Sequence, residues 1–344
     1  MKSFENSLFV RACKKQNFEN RPPVWIMRQA GRYQNSYQEL KAKYSMIEIC
    51  THHDLMVHAT LLPVNEFQPD AAIIFSDLLI PFLPMGIQFD YEKGVGPKIY
   101  NPLRKDQDIK QLKNFNVADG LKFTGQALTV LNNQLDIPTI GFVGAPFTLA
   151  SYLIEGQGTK NFVETKKFLY QFPDAWHELM LFLAQKMSEY ALFQYESGAA
   201  AVQIFDSWIG VLDYYEFENF VFPHLEFMTQ HIKSHTDRPL IYFGTSTAHL
   251  LPLINRLPLD VIGLDYKTNL PNIRDQFKDK AIQGNLDPTV LFADQSYIYD
   301  RTIRLLNAMK HDPGYIFNLG HGILPGTPYE NVRFLFNLIK TYQS

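Results

Sequence analysis

The strongest constraint on how this chain can fold is the repetition of one unit. Eight short apolar runs rich in β-formers occur at 24–27, 71–75, 139–143, 201–205, 240–243, 261–264, 281–283 and 315–318. Segments long enough for at least one helix separate them. Strands that alternate with helices, with no hairpin signals between them, build a parallel sheet through right-handed crossovers. Eight such units imply a closed (β/α)8 barrel of the TIM type, read here as one α/β domain over residues 1–344. The length beyond a typical barrel falls between the first and fourth strands. An open doubly wound sheet is the alternative, and no Gly-x-Gly-x-x-Gly opens a helix after the first run to support it.

The ends of the runs point the same way. They lead into Arg28, Ser76-Asp77, Gly144-Ala145-Pro146, Asp206-Ser207, Gly244-Thr245, Asp265-Tyr266, Gly284-Asn285 and Gly320-His321. In a barrel of this kind the C-terminal ends of the strands carry the active site. The first run continues as Arg28-Gln29-Ala30-Gly31-Arg32-Tyr33, which places two arginines four residues apart at a strand end. A guanidinium is a planar fork of donors that fits a carboxylate or phosphate through two bonds at once. Surface ion pairing is the ordinary fate of arginines. The strand end and the glycine between these two favour a site for a multiply anionic small molecule.

Other residues fit that face. Asp77 follows Ile73-Ile74-Phe75-Ser76, so its carboxylate sits at the mouth of an apolar barrel. There it can accept several N–H donors or stabilise a developing cation at low dielectric; a structural pair with Arg28 or Arg32 is the plainer role. Ser207 closes Ile204-Phe205-Asp206, without the Gly-x-Ser-x-Gly elbow of a nucleophile. A hydrogen bond to a ligand carboxylate suits it better, and Asp206 reads as a helper that fixes the loop. His321 lies between Gly320 and Gly322, which let backbone approach a ligand closely. Tyr152 alone reads as a half-buried amphipathic filler. His52-His53 reads as a solvated helix start, because adjacent helical residues do not face one site. Asp287 reads as a cap on the helix that follows it.

Composition narrows the partners. A formal net charge of −3 argues against nucleic-acid binding, which needs a basic surface. An anionic ligand must therefore be held by local arginines. Two cysteines, Cys13 and Cys50, make neither a disulfide framework nor a thiolate-rich metal site, and they suit a reducing compartment. No apolar run reaches the length of a membrane span, and the first residues lack a signal peptide's apolar core. The expectation is a cytosolic protein with no metal or organic cofactor.

Six blocks carry a resemblance. They are residues 23–33, Asp70-Ala71-Ala72-Ile73-Ile74-Phe75-Ser76-Asp77, Gly144-Ala145-Pro146-Phe147-Thr148, Gln203-Ile204-Phe205-Asp206-Ser207, Gly284-Asn285-Leu286-Asp287-Pro288 and Phe317-Asn318-Leu319-Gly320-His321-Gly322. In order and over nearly the whole chain, they resemble the uroporphyrinogen decarboxylase family. The resemblance implies decarboxylation of the four acetate side chains of uroporphyrinogen III to methyls, giving coproporphyrinogen III in haem biosynthesis, by a homodimer. It also implies roles: Asp77 gathers the pyrrole N–H groups, Tyr152 lies against the aspartate and the substrate, and Ser207 and His321 fix substrate carboxylates. Arg28 and Arg32 bind carboxylates, and Arg28 is the candidate for the acid or its positioner, with a relay through water or a substrate carboxyl as an equal alternative. Asp77, Arg28 and Tyr152 form the expected catalytic set.

The chain departs from the family pattern in places. Lys41 stands where an arginine is usual, Gln34-Asn35-Ser36 replaces Leu-Pro-Glu, and residues 62–66 replace a stretch that usually carries two basic residues. Two other readings are a zinc-dependent corrinoid-linked methyltransferase of the same superfamily, needing His and Cys ligands, and a tetrapyrrole carrier without turnover.

Overall fold

Alternate residues of the apolar runs face two different cores, as a closed barrel requires. The computed structural model describes residues 2–92 and 96–343. The barrel strands are β1 (Ala72–Ile73), β4 (Thr139–Gly144), β5 (Ala201–Asp206), β6 (Leu240–Gly244), β7 (Val261–Gly263), β8 (Ala281–Leu286) and β9 (Tyr315–Leu319). They run parallel in the order β1-β4-β5-β6-β7-β8-β9. Trp25, Ile140, Ala201, Ile241, Val261, Ala281 and Ile316 form the core inside the barrel. Their neighbours Val24, Val202, Leu240, Ile262, Ile282 and Phe317 face the surrounding helices. Helix Leu8–Cys13 shares the inner core through Phe9 and Val10. Asn17, just beyond it, donates to Pro313 O at the start of β9, so this helix plugs the N-terminal end of the barrel.

The eighth stave is the expected first strand, and only Val24 pairs in a β-bridge, parallel to Phe317. The physical reason is local. Pro22 and Pro23 precede it and offer no N–H to a ladder. Side chains complete the pairing. Asp70 accepts from Val24 N at 2.8 Å, and its own N–H donates to Val24 O at 2.8 Å. Arg21 holds Asp70 bidentately at 2.7 and 2.8 Å. On the opposite side Asn318 Oδ1 accepts from Met27 N at 3.0 Å. Inside the barrel, Trp25 Nε1 donates to Gln283, and Gln283 donates to Gln203, at 3.0 and 2.9 Å.

The absence of hairpin signals was the wrong reading. β2 (Phe89–Glu92) and β3 (Gly96–Ile99) pair antiparallel, with Tyr91 opposite Pro97. Residues 93–95 lie outside the described residues. The signal was present: 87–92 alternate apolar and polar as Ile-Gln-Phe-Asp-Tyr-Glu, with glycines at 94 and 96. The hairpin does not join the barrel. β3 docks on the end of helix Pro146–Glu155, with Ile99 N donating to Gly156 O at 2.6 Å. The extra length does fall early, in this hairpin and in helices Asn35–Lys43, Met46–Thr51 and His53–Phe67. Among the described residues no helix is long and apolar enough to cross a membrane.

Closure through Asp70 has a measurable consequence. Asp70→Ala removes the carboxylate that accepts from Arg21 and Val24 N, in a pair whose Arg21 and Asp70 side chains keep 23% and 14% exposure. We expect a loss of about 2–3 kcal/mol in urea unfolding, below the range for fully buried pairs. Asp70→Asn keeps an acceptor for Val24 N and should cost about half as much. Equal, negligible losses in both variants would show that closure does not depend on this carboxylate.

Candidate active site

The site begins where the first stave ends. Met27 is held on both sides, its N–H by Asn318 and its carbonyl by Ile323 N at 3.0 Å. The chain then turns through Arg28 in the left-handed region, at φ 61°. For a residue with a Cβ this costs about 1–2 kcal/mol. The turn is clamped: Tyr33 OH donates to Gln29 O at 2.5 Å, and Gly31 N donates to Gln34 Oε1 at 3.1 Å. Arg28 crosses Gly322, where an added Cβ would lie 2.6 Å from Arg28 Cδ. Gly322 is thus a close approach that a side chain would block.

Arg28, Arg32, Asp77, Tyr152, Ser207 and His321 all line one cavity of about 1140 Å³ at the C-terminal ends of the strands. That exceeds the usual volume of a small-molecule pocket, about 300–1,000 Å³. One side carries cations: Arg28 and Arg32 are exposed to the cavity, with Lys41 further along it. Neither arginine enters an ion pair among the described residues. The structural pairing of Asp77 with Arg28 or Arg32 is therefore absent. Aromatic rings make up much of the remaining lining, beside aliphatic residues and the carboxylates Asp77, Asp90 and Glu92. Phe142, Phe205 and Phe243, from β4, β5 and β6, pack edge to face at 5.5 and 6.1 Å. Trp208 stacks against Tyr152 with centroids 3.9 Å apart. A flat apolar ligand with a fringe of carboxylates matches this division.

Asp77 does not end a regular strand, because β1 stops at Ile73 and 74–77 run on as loop. The loop is fixed by Leu79 N donating to Asp77 Oδ1 at 2.9 Å. Burial pushes the Asp77 carboxyl up, while Leu79 N, the Tyr91 hydroxyl and the Arg28 charge pull it back. Tyr152 is pushed up by burial and by Asp77, so it stays a neutral phenol. Burial lowers His321, leaving its imidazole neutral near pH 7, with Nδ1 3.0 Å from Gly322 O. Asp206 points away from the cavity and ties loops together. It accepts from Thr148 at 2.7 Å and Tyr242 at 2.9 Å, and burial raises it to about 6. Thr148 starts the helix that carries Tyr152, so the helper role fits.

Sequence reasoning missed Tyr91, Trp208 and the three strand phenylalanines as lining residues. It also treated two departures from the family pattern as separate. They meet: Gln34 Nε2 and Ser36 Oγ both donate to Glu66, at 3.0 and 2.5 Å. Gln34 in turn accepts from Gly31, so the paired exchange still braces the arginine turn. Outside the site, His53 faces Asp54 at 3.2 Å on an exposed helix start, and Asp287 caps Thr289 N at 2.8 Å.

Residues 4–342 match the family model described as "Uroporphyrinogen decarboxylase (URO-D)". The chain belongs to the uroporphyrinogen decarboxylase family. It is 44% identical over 342 residues to a uroporphyrinogen decarboxylase of Koribacter versatilis, covering 98% of this chain and 97% of the relative. It is 43% identical over 340 residues to one of Geobacillus kaustophilus, covering 98% of each. The fold is similar to that of a methyltransferase from Methanosarcina mazei, with TM-score 0.81 and 18% identity over 97% of this chain and 98% of that one. At that identity the likeness is one of fold, and fold does not carry chemistry. The cysteines do not offer methyltransferase-type ligands: Cys13 lies in the inner barrel core, Cys50 is buried, and burial raises both thiols well above their usual range. Among the described residues no three His, Cys, Asp or Glu side chains gather as a metal site.

Two expectations follow. Gly322→Ala should displace the flexible end of Arg28 and spare the fold. Unfolding free energy should change by less than about 1 kcal/mol, while affinity for uroporphyrin falls about tenfold or more. Unchanged affinity would remove Arg28 from ligand binding. For Asp206 the sign is set by a folded-state pKa raised from 3.8 to about 6. Its protonation stabilises the fold below pH 4, and that contribution is lost as pH rises through about 6. Asp206→Asn should flatten the stability–pH curve over that window, by at most roughly 3 kcal/mol. A slope equal to wild type would locate the effect elsewhere.

Proposed function

We propose that this chain decarboxylates the four acetate side chains of uroporphyrinogen III to methyls, giving coproporphyrinogen III. The observation that carries the reading is Asp77, a carboxylate with no counter-ion in contact among the described residues, set in a cavity that Arg28, Arg32 and several aromatic rings also line. Family membership supplies the substrate class.

The chemistry follows from the substrate and these residues. Loss of CO2 from an acetate leaves an electron pair that needs a sink. Protonation of a pyrrole ring carbon makes the ring a cation that accepts that pair as the C–C bond breaks. A proton then adds to the exocyclic carbon to form the methyl, and the ring proton leaves. Each cycle consumes one proton and releases one CO2. Asp77 accepts from the pyrrole N–H groups and stabilises the cation as it forms. Arg28 and Arg32 bind carboxylates. Arg28 positions the proton donor, because a guanidinium with pKa above about 12 gives up its own proton poorly. Tyr152 orients Asp77 and lies against the macrocycle, while Ser207 and His321 hold substrate carboxylates. Lys41 adds charge at the rim without the bidentate fork. The proposal includes action as a homodimer in the cytosol, through one domain and with no metal or organic cofactor.

The test is incubation of the purified, exhaustively chelated protein with uroporphyrinogen III. Four CO2 per macrocycle and coproporphyrinogen III are expected; ligand binding without CO2 would favour a carrier, and activity regained only with zinc would overturn the mechanism. Asp77→Asn then separates chemistry from structure. It removes the charge but keeps an acceptor oxygen, so kcat and kcat/KM should fall together by roughly 10²–10³, with binding less affected. A variant of lowered Tm that keeps its activity would remove Asp77 from the mechanism.

A further inference from the structure

The hairpin carries Tyr91 over the cavity, where it lines the same space as Asp77 and Tyr152. Its ring packs on Phe89, with centroids 5.9 Å apart. Its hydroxyl oxygen is buried and has no hydrogen-bond partner among the described residues. A buried polar atom left in that state is costly, and each such case asks for an explanation. Asp77, which lines the same cavity, comes ahead of Cys50 and Tyr152 among the acidic groups that act on this hydroxyl. Asp77 commits Oδ1 to Leu79 N, so the Oδ2 side of the carboxyl remains to receive a donor.

We propose that Tyr91 is a positioning residue that donates its hydroxyl to the Asp77 carboxylate, keeping that group ionised and aimed into the cavity. The need for it is physical. Pyrrole N–H groups require an acceptor, and only the ionised carboxylate accepts at every lone pair. Burial drives Asp77 toward the neutral acid, and a phenol donor opposes this. The hairpin is also tied to the neighbouring catalytic element. Ile99 N donates to Gly156 O, and Lys98 bridges to Gln157, both at the end of the helix bearing Tyr152. Tyr91 and Tyr152 thus stand on linked elements. What ionised Asp77 then does rests on the decarboxylase reading; the contact itself does not.

The groups facing this pair make the titration readable. Arg28 comes from the first stave, Tyr37 from helix Asn35–Lys43, Cys50 from helix Met46–Thr51 and Tyr152 from helix Pro146–Glu155. Tyr37 is pushed up to about 12, and Tyr152 and Cys50 are raised by burial. On the hairpin itself Asp90 is exposed, and Glu92 pairs with Lys98 at 2.9 Å. Arg32 acts on Tyr37, and His321 answers to Arg28 and Asp265.

The experiment compares the full-length protein with Tyr91→Phe, which keeps the ring. Both are labelled with aspartate carrying ¹³C at the side-chain carboxyl and titrated by NMR, with the Asp77 signal assigned through Asp77→Asn. The Asp77 midpoint should rise by roughly one pH unit in Tyr91→Phe, at nearly unchanged Tm. The acid limb of kcat/KM for uroporphyrinogen should move by the same amount. An unmoved midpoint overturns the proposal. Should the phenylalanine variant fail to fold, Tyr91→Met gives the same comparison. A wild-type protein that releases no CO2 overturns the decarboxylase reading instead, while the NMR midpoint still decides the role of Tyr91.

Discussion

Everything at the mouth of this barrel depends on how its first stave is closed. Preceded by two prolines, the stave makes one bridge where its neighbours make ladders. Asp70 and Asn318 supply the missing acceptors, to Val24 N and Met27 N. Asn318 thereby also fixes Met27, the residue before Arg28, whose carbonyl Ile323 N holds. The strained turn that follows is held by Tyr33, Gln34 and Glu66, so the cost of a left-handed arginine is met by the surrounding structure. Stability and site geometry here rest on the same few hydrogen bonds.

The second governing feature is a deliberate imbalance of charge. Arg28 and Arg32 have no counter-ion among the described residues, and burial pushes the Asp77 carboxyl up, so the protein itself matches neither charge. Both become favourable when a ligand brings carboxylates to one side and N–H donors to the other. The aromatic lining sharpens the effect, because excluding water strengthens each electrostatic contact. This is the preorganisation expected where a cation must be stabilised only as it forms.

Departures from the family pattern are best judged in space. Gln34, Ser36 and Glu66 lie up to 32 residues apart, yet they form one hydrogen-bonded group that still braces the arginine turn. Lys41 has no such compensation among the described residues and stands at the cavity rim. The hairpin shows the opposite case. Its alternation was plain in Ile87-Gln88-Phe89-Asp90-Tyr91-Glu92, but its importance was not, since nothing local says that Tyr91 will hang beside Asp77.

The chain's own order of residues determined the barrel: seven of the eight apolar runs are its strands, and polar groups at their ends mark the cavity. Period-two burial and strand–helix alternation are local, so a linear reading can find them. Arg28, Arg32, Asp77, Ser207 and His321 were legible as cavity residues for a related reason, since they follow strand ends, whereas Tyr152 was pointed to by the family resemblance alone. The tertiary structure alone decided which side chains close the first stave, that Gly322 makes room for Arg28, and that a phenol from outside the barrel lines the cavity of Asp77. Those depend on distances between residues far apart in sequence, and no local pattern encodes them. The ionisation of Asp77 is decided there too, because burial and neighbouring charge exist only once the chain has folded.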